Sequence, residues 1–376
     1  MEHPALLVLS ARAGTGHLQA ARTIRDALDR EIPGARVEHV DVLDMAPSWV
    51  RRAYADGFEL LASRAPWVWG GIYRTTDGPR EGVSSWWTLT ERLLFRDFRP
   101  RVMERDWDLC IATHFLPCQL AAARRGGPPF WLAVTDFTLH RYWVQPAVSH
   151  YFLPPGGIED SLQARVPDVS TDVTGIPVAP DFSAPPSRSE ARRALDLDPR
   201  RPTALVMSGG LGLGIEDRVR SALDATGARV QLLAVCGDNQ KARKALSRVD
   251  PMGKRLRVLG YARDVPTLMA ASDLVVTKPG GLTISEALAV GRPLLLTRAL
   301  PGHEVGNARR IAELGAAAVS ETTSELGRVL RSLLSRPERL HSLTSAAREL
   351  GRPDATARVS DAVRRWISGG DRAAVA

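Results

Sequence analysis

Four glycine-rich turns carry most of the residues in this sequence from which chemistry can be argued. The first, Ser10-Ala11-Arg12-Ala13-Gly14-Thr15-Gly16-His17, joins an apolar run to a stretch of helical periodicity. Gly14 and Gly16 let the backbone turn tightly and approach a ligand closely. His17 falls at the helix start, where the helix dipole disfavours extra positive charge, so its imidazole tends to be neutral. A neutral imidazole can take a proton from an incoming hydroxyl. A histidine capping an ordinary βα turn has the same residue type, and residue type alone favours that simpler role.

The second turn, Met207-Ser208-Gly209-Gly210-Leu211-Gly212-Leu213-Gly214, also follows a strand-like run and precedes a helix. Its glycines, Gly210 and Gly212 among them, expose backbone N–H groups suited to phosphate oxygens. The third is Lys278-Pro279-Gly280-Gly281-Leu282-Thr283-Ile284-Ser285-Glu286. There Gly280 and Gly281 offer N–H groups to a diphosphate. Glu286, about one turn inside the helix, can accept from two vicinal hydroxyls such as a ribose presents. A carboxylate placed there only to complement the helix dipole is the alternative. The fourth, Pro301-Gly302-His303-Glu304-Val305-Gly306-Asn307, combines a turn with three side chains able to bond sugar hydroxyls, or to cap the next helix. Asp196-Leu197-Asp198 has the look of a metal-holding acidic triplet but sits among polar residues before a proline, as a solvated loop does. No other cluster has metal-ligand spacing, and no metal is expected.

These turns need strands and helices to aim them. Ala5–Ser10, Arg36–Val40, Leu109–Thr113 and Trp131–Thr135 read as buried strands, and His17–Glu31 is apolar at helical spacing. Pro177–Pro186 has the proline and small residues of a linker. Beyond it, Ala204–Met207, Val230–Val235, Arg257–Leu259, Leu274–Thr277 and Leu294–Leu296 read as strands with helices between, and the chain past about residue 321 reads as all helical. The βαβα rhythm predicts two parallel sheets with helices on their faces. The expected domains are 1–178, with a helical insertion at 45–104, and 187–350, followed by a C-terminal helix at 351–376 that packs back on the first domain. Ligands of such sheets bind beyond the carboxyl ends of the strands, which puts the expected site in a cleft between facing domains.

The 376 residues suffice for two cores, and 44% hydrophobic with 24% charged residues is ordinary for a globular protein. The net charge of +8, nearly all arginine, fits an anionic small molecule, an anionic membrane surface or nucleic acid. No nucleic-acid motif accompanies it. Cys110, Cys118 and Cys236 have apolar neighbours and no zinc spacing, as reduced buried thiols do. No run approaches the roughly 18 apolar residues of a spanning helix, so membrane contact is expected to be peripheral, on the cytoplasmic side. The segment 45–104 holds five of the nine tryptophans, including Trp86 and Trp87, amid arginines such as Arg96 and Arg99. Indole rings suit the headgroup level and arginines suit anionic lipid heads, although both also serve as core and surface groups.

Taken in order, the motifs resemble one family. They are Ala13-Gly14-Thr15-Gly16-His17, Thr135-Asp136-Phe137-Thr138-Leu139-His140 with Trp143, Thr174-Gly175-Ile176-Pro177-Val178, and Ser208-Gly209-Gly210-Leu211-Gly212. Lys278-Pro279-Gly280-Gly281 with Glu286 and Pro301-Gly302-His303-Glu304 with Asn307 complete the set. The chain is similar to the monogalactosyldiacylglycerol synthase and processive diacylglycerol glucosyltransferase family from about residue 5 to about 350. The peptidoglycan lipid-intermediate N-acetylglucosaminyltransferase is a more distant relative. The resemblance implies an α/β GT-B fold of two Rossmann-like domains facing each other across a cleft. It implies that Glu286 binds the ribose of a UDP-sugar, that Gly280 and Gly281 lie by its diphosphate, and that Gly260 and Tyr261 lie beside the uracil. His303, Glu304 and Asn307 would touch the donor sugar, and His17 would act as base toward the acceptor, on whose side Asp136 and His140 also lie. The family usually has Gln where this chain has His303, which leaves the choice between UDP-glucose and UDP-galactose open.

The expected reaction is therefore inverting transfer of a hexose from a UDP-sugar, a substrate rather than a cofactor, to a lipid hydroxyl, with diacylglycerol the leading acceptor. No cofactor is required. A polyprenyl or small apolar acceptor would use similar chemistry. A UDP-sugar epimerase of the same architecture is the alternative enzyme.

Overall fold

The computed structural model describes residues 3–12, 14–52, 93–122, 126–250, 255–297 and 302–369. They divide into two compact units. Unit one takes Met1–Ala179 and Asp354–Ala376 with the short piece Leu300–His303; unit two takes Pro180–Ala299 and Glu304–Pro353. Most of the expected lipid-contact segment, Trp86 and Trp87 included, lies outside the described residues.

Unit one is built on β1 (Ala5–Ser10), α1 (Thr15–Glu31), β2 (Arg36–Asp41), β3 (Leu109–Ala112), α2 (Phe115–Ala122), β4 (Phe130–Ala133), β5 (Val148–Phe152), α3 (Ile158–Gln163) and β6 (Ser170–Asp172). The six strands form one parallel sheet in the order β2-β1-β3-β4-β5-β6. β1, β3 and β4 are buried at every position, which is why their sequences run apolar without alternation. One face of the sheet packs on Val42, Leu43, Phe95, Phe98 and Trp107; the other packs on Ala21, Ile24 and Leu28 of α1.

Unit two repeats the plan. It holds α4 (Arg188–Ala194), β7 (Thr203–Met207), α5 (Ile215–Thr226), β8 (Gln231–Val235), α6 (Gln240–Leu246), β9 (Leu256–Leu259), α7 (Val265–Ala271) and β10 (Leu274–Thr277). After these come α8 (Gly281–Ala289), β11 (Leu294–Thr297), α9 (His303–Glu313), β12 (Ala317–Ser320), α10 (Thr323–Leu334) and α11 (Pro337–Leu350). Its parallel sheet runs β12-β11-β10-β7-β8-β9. The last helix, α12 (Ala355–Ile367), belongs to unit one, where Val359, Ala362, Val363 and Trp366 pack in the same cluster as α1 and Trp131.

Strand order decides where ligands fit. In each sheet the chain starts in the interior and winds outward both ways, so the helices after two neighbouring strands leave on opposite faces and open a crevice at the strand ends. In unit one that switch lies between β1 and β3; in unit two it lies between β7 and β10. The turns after β1, β7 and β10 are three of the four glycine-rich turns read from the sequence. Among the described residues no helix is long and apolar enough to cross a membrane.

Candidate active site

At the first switch point Gly14, with φ +94°, reverses the chain between β1 and α1, in a conformation that glycine adopts without a Cβ penalty. Its open side has room: a Cβ built there meets nothing within 4 Å. Gly16 comes next inside α1, and His17 stands in the helix's first turn. The loop is tied down by Asp41 at the end of β2, whose carboxylate accepts from the Arg12 and Leu43 amides and pairs with the Arg12 guanidinium at 3.2 Å.

The His17 ring is fixed by two threonines, one just past the end of β3 and one just past the end of β4. Nδ1 lies 3.0 Å from the Thr113 carbonyl oxygen and 2.8 Å from Thr135 Oγ1. A carbonyl can only accept, so Nδ1 carries the proton and Nε2 keeps its lone pair. Thr113 Oγ1 donates in return to the His17 carbonyl at 2.8 Å, stitching α1 to the end of β3. Burial pushes the His17 pKa below its ordinary value, against the opposing pull of the Asp136 charge and of the Thr113 hydrogen bond. His17 is thus a neutral imidazole with a defined tautomer. A histidine serving only as a helix cap would turn its acceptor nitrogen to an amide of its own helix; His17 instead donates across the sheet.

Asp136 is buried beyond β4 and accepts from Trp143 Nε1 at 3.2 Å. The Trp143 ring lies 6.1 Å from that of His17, so the aspartate, the tryptophan and this imidazole form one cluster. His140 is buried nearby in sequence and accepts from the Tyr142 amide at 3.2 Å, which gives it a capping role in a short 3-10 turn. His114, which the sequence did not mark, stands edge-on to His17 with ring centroids 4.7 Å apart.

The second switch point gathers the loops after β7 and β10. Gly212 (φ +59°) and Gly237 (φ +57°) sit where a Cβ would fall 2.0 Å from the carbonyl oxygens of Cys236 and Gly210 respectively. The loops after β7 and β8 therefore interlock through backbone, reinforced by Asp238 N–H donating to Gly210 O and Asn239 Nδ2 to Gly212 O. Arg218, which has no motif around it in the sequence, spans the site: Nη1 donates to Ser208 Oγ and Leu213 O, and Nε to Thr297 Oγ1.

Gly280 is the N-cap of α8, with Gly281 its first residue, and a Cβ on Gly280 would meet nothing within 4 Å. Its φ of −74° suits any residue, so the glycine here leaves space rather than permits a turn. Glu286 is in the second turn of α8; desolvation by the surrounding protein pushes its carboxyl up to about 8. His303, Glu304 and Asn307 lie along the start of α9, with Glu304 and Asn307 buried. Glu304 pairs with Lys278 Nζ at 2.7 Å, and Asn307 Nδ2 donates to the Pro279 carbonyl, so α9 is pinned to the loop that opens α8. Gly260 packs near Arg243 and Tyr261 stands 68% exposed after β9, at the edge of the sheet rather than at the switch point.

The Asp196–Asp198 triplet is a turn: Asp196 has φ +49° and Asp198 Oδ1 accepts from the Arg200 amide. Among the described residues no three His, Cys, Asp or Glu side chains cluster as a metal site would require. Cys110, Cys118 and Cys236 are buried and free.

With this geometry in place, the likeness to known proteins is informative. Residues 17–178 match the monogalactosyldiacylglycerol (MGDG) synthase family, and residues 203–359 match the glycosyltransferase family 28 C-terminal domain. The processive diacylglycerol beta-glucosyltransferase of Bacillus subtilis (strain 168) is 26% identical over 92% of this chain and 91% of its own length. That of Staphylococcus carnosus (strain TM300) is 25% identical over 87% of this chain and 84% of its own. In three dimensions the chain resembles Acinetobacter baumannii MurG (TM-score 0.65, 18% identity, 96% of this chain and 99% of that one). It also resembles the UDP-GlcNAc 2-epimerase of Neisseria meningitidis (TM-score 0.59, 14% identity, 96% and 100%). These structural likenesses establish the GT-B fold of two Rossmann-like domains.

Proposed function

We propose, for a chain that belongs to the glycosyltransferases joining an MGDG-synthase domain to a family 28 C-terminal domain, that it moves a hexose from a UDP-sugar to the free hydroxyl of diacylglycerol with inversion at the anomeric carbon. The observation that carries this reading is the His17 tautomer. With Nδ1–H committed to the Thr113 carbonyl, Nε2 is the ring's proton acceptor, and its lowered pKa keeps it unprotonated near neutral pH. The acceptor O–H gives its proton to Nε2 while its oxygen forms the new bond to the anomeric carbon. The bond from that carbon to the diphosphate breaks, and its electron pair leaves with UDP.

Unit two supplies the donor side in this reading. The amides of the 208–214 loop and of the α8 N-terminus face the diphosphate and stabilise its growing charge without needing a metal. Glu286 takes the ribose diol, Tyr261 and Gly260 border the uracil, and His303, Glu304 and Asn307 read the hexose. The diacylglycerol acceptor is supported by the names of the relatives.

Membrane association at the inner face of the cell membrane is part of the proposal. Of the tryptophans at 45–87, Trp49 alone falls among the described residues, and it is 61% exposed. Flotation with anionic liposomes at low salt tests this; absence of binding defeats it.

The reaction is tested by incubating purified protein with UDP-glucose or UDP-galactose and a lipid panel containing diacylglycerol and polyprenyl acceptors, with products read by mass spectrometry. A hexosyl-diacylglycerol is the expected product. Isomerised UDP-sugar in the absence of any lipid would instead mark an epimerase, which shares the fold.

A further inference from the structure

His114 lies directly beyond β3, one residue past the carbonyl that fixes His17. Its Nδ1 accepts from the Leu116 amide at 3.1 Å, at the start of α2. That bond needs a lone pair on Nδ1, so the single proton of the ring resides on Nε2. The residue is only 3% exposed, enclosed by Phe115, Trp143 and His17. Among the described residues no group accepts from its Nε2–H. A donor held in a fixed direction beside a reactive group, with no partner of its own, is available to a ligand.

The two neighbouring imidazoles therefore hold opposite tautomers, each set by a backbone group. His17 presents a lone pair at Nε2 and His114 presents an N–H at Nε2, on rings 4.7 Å apart. An alcohol whose hydroxyl has a second oxygen close by on the same molecule matches this pair: the hydroxyl donates to one ring and the second oxygen accepts from the other. A bond from His114 to the attacking oxygen itself would drain its electron density, so the neighbouring oxygen is the suitable partner.

We propose that His114 is an acceptor-binding residue whose Nε2–H donates to an ester carbonyl next to the reacting hydroxyl of the lipid. This rests on the reading of the chain as a transferase acting on a glycerolipid hydroxyl. It adds that the enzyme distinguishes ester-linked from ether-linked glycerolipids through this one hydrogen bond.

Two substitutions separate the roles of the ring. In His114→Asn the amide oxygen replaces Nδ1 and keeps the bond to Leu116 N–H, but the distal donor is gone. In His114→Gln the amide nitrogen replaces Nε2 and keeps the distal donor, but the bond to Leu116 is lost. The measurement is the ratio of kcat/KM for dioleoylglycerol to that for its dialkyl ether analogue, with UDP affinity and melting temperature recorded for each protein. The expected ratio is about tenfold for wild type, near unity for His114→Asn, and restored towards wild type by His114→Gln despite a lower melting temperature. If wild type shows no preference, if His114→Asn keeps the wild-type ratio, or if His114→Gln loses it as His114→Asn does, the ring is only a cap and the inference falls. If wild type transfers to neither lipid, the transferase reading falls with it.

Discussion

His17 Nδ1 lies 3.0 Å from the carbonyl oxygen of Thr113, a bond that joins residues 96 positions apart and decides which nitrogen of the imidazole is basic. A backbone carbonyl holds the ring where a carboxylate would also serve. A carbonyl orients the imidazole without adding a full negative charge, and the nearby charge of Asp136 only partly offsets the effect of burial. The imidazole consequently stays neutral, the state in which the proposed reaction would have it accept a proton as the new bond forms.

Replacing His17 by Ala removes that acceptor. Transfer should fall by about 10²–10⁴ while UDP affinity, measured by calorimetry, stays at the wild-type level. Because the folded pKa is lowered from 6.5, the active neutral form persists on the acid side of that value. The acid limb of kcat/KM against pH should therefore lie below 6.5. A limb above 6.5, or near wild-type turnover in His17→Ala, would refute the assignment.

In the proposed reading Glu286 makes donor binding pH-dependent in the same sense as His17 makes turnover, but at higher pH. Its carboxyl is raised to about 8 in the free protein, and the proposed bonds from the ribose hydroxyls are made best to the ionised form. UDP binding should release a proton, and affinity should rise by up to about tenfold per pH unit on approaching 8. Glu286→Gln should flatten this dependence and weaken UDP binding by roughly 10–100-fold. The folded-state value exceeds the ordinary 4.5, so ionisation costs the ligand-free protein stability as pH rises from 4.5 through 8. Ligand-free Glu286→Gln should then melt above wild type at pH 8.5, with less difference at pH 5. Calorimetry in two buffers of different ionisation heat measures the proton release; none observed at pH 7 would reject the ribose role.

Much of this arrangement was legible in the sequence because parallel strands buried on both faces read as unbroken apolar runs. β1, β7 and β10 stood out for that reason, and the glycine-rich turns after them marked both switch points. β5, β6 and β12 did not stand out. β5 carries a buried histidine, His150; β6 is an edge strand of Ser170, Thr171 and Asp172; β12 is made of small residues that pass for helix. At the site, His17, Gly280 and Glu286 sit in local signatures. His114 and Arg218 have none, since each matters through partners brought in by the fold. The Thr113 carbonyl belongs to every residue type and has no sequence signal at all. Tyr261, placed by family likeness, lies on an edge strand's turn, a position that residue type alone does not reveal.

The pairing of Lys278 with Glu304 should be structural as well as functional. Glu304 is 1% exposed, so Lys278→Met leaves its carboxylate buried beside one fewer cation. A loss of about 1–3 kcal/mol in urea unfolding is expected. Lys278→Met/Glu304→Gln should recover part of that loss. Additive effects of the two substitutions would mean that the pair contributes no coupling.

Two glycines of the donor side should behave differently when changed to alanine. Gly212→Ala forces a Cβ to within 2.0 Å of Cys236 O at φ +59°, and should cost about 2–4 kcal/mol. Gly280→Ala enters open space at φ −74° and should cost under about 1 kcal/mol. In the proposed reading its Cβ would stand where the diphosphate approaches, so UDP affinity should drop at least tenfold with the fold intact. Unchanged UDP affinity in Gly280→Ala would move the diphosphate elsewhere.

Helix α12 gives unit one a consequence in time. Residues up to Ala179 leave the ribosome long before Val359, Ala362, Val363 and Trp366 exist, yet these four belong to the cluster in which α1 is buried. Until the α12 residues are translated, the helix that bears His17 lacks part of its apolar cover. Unit one is thus completed only when a segment made after the whole of unit two packs onto it.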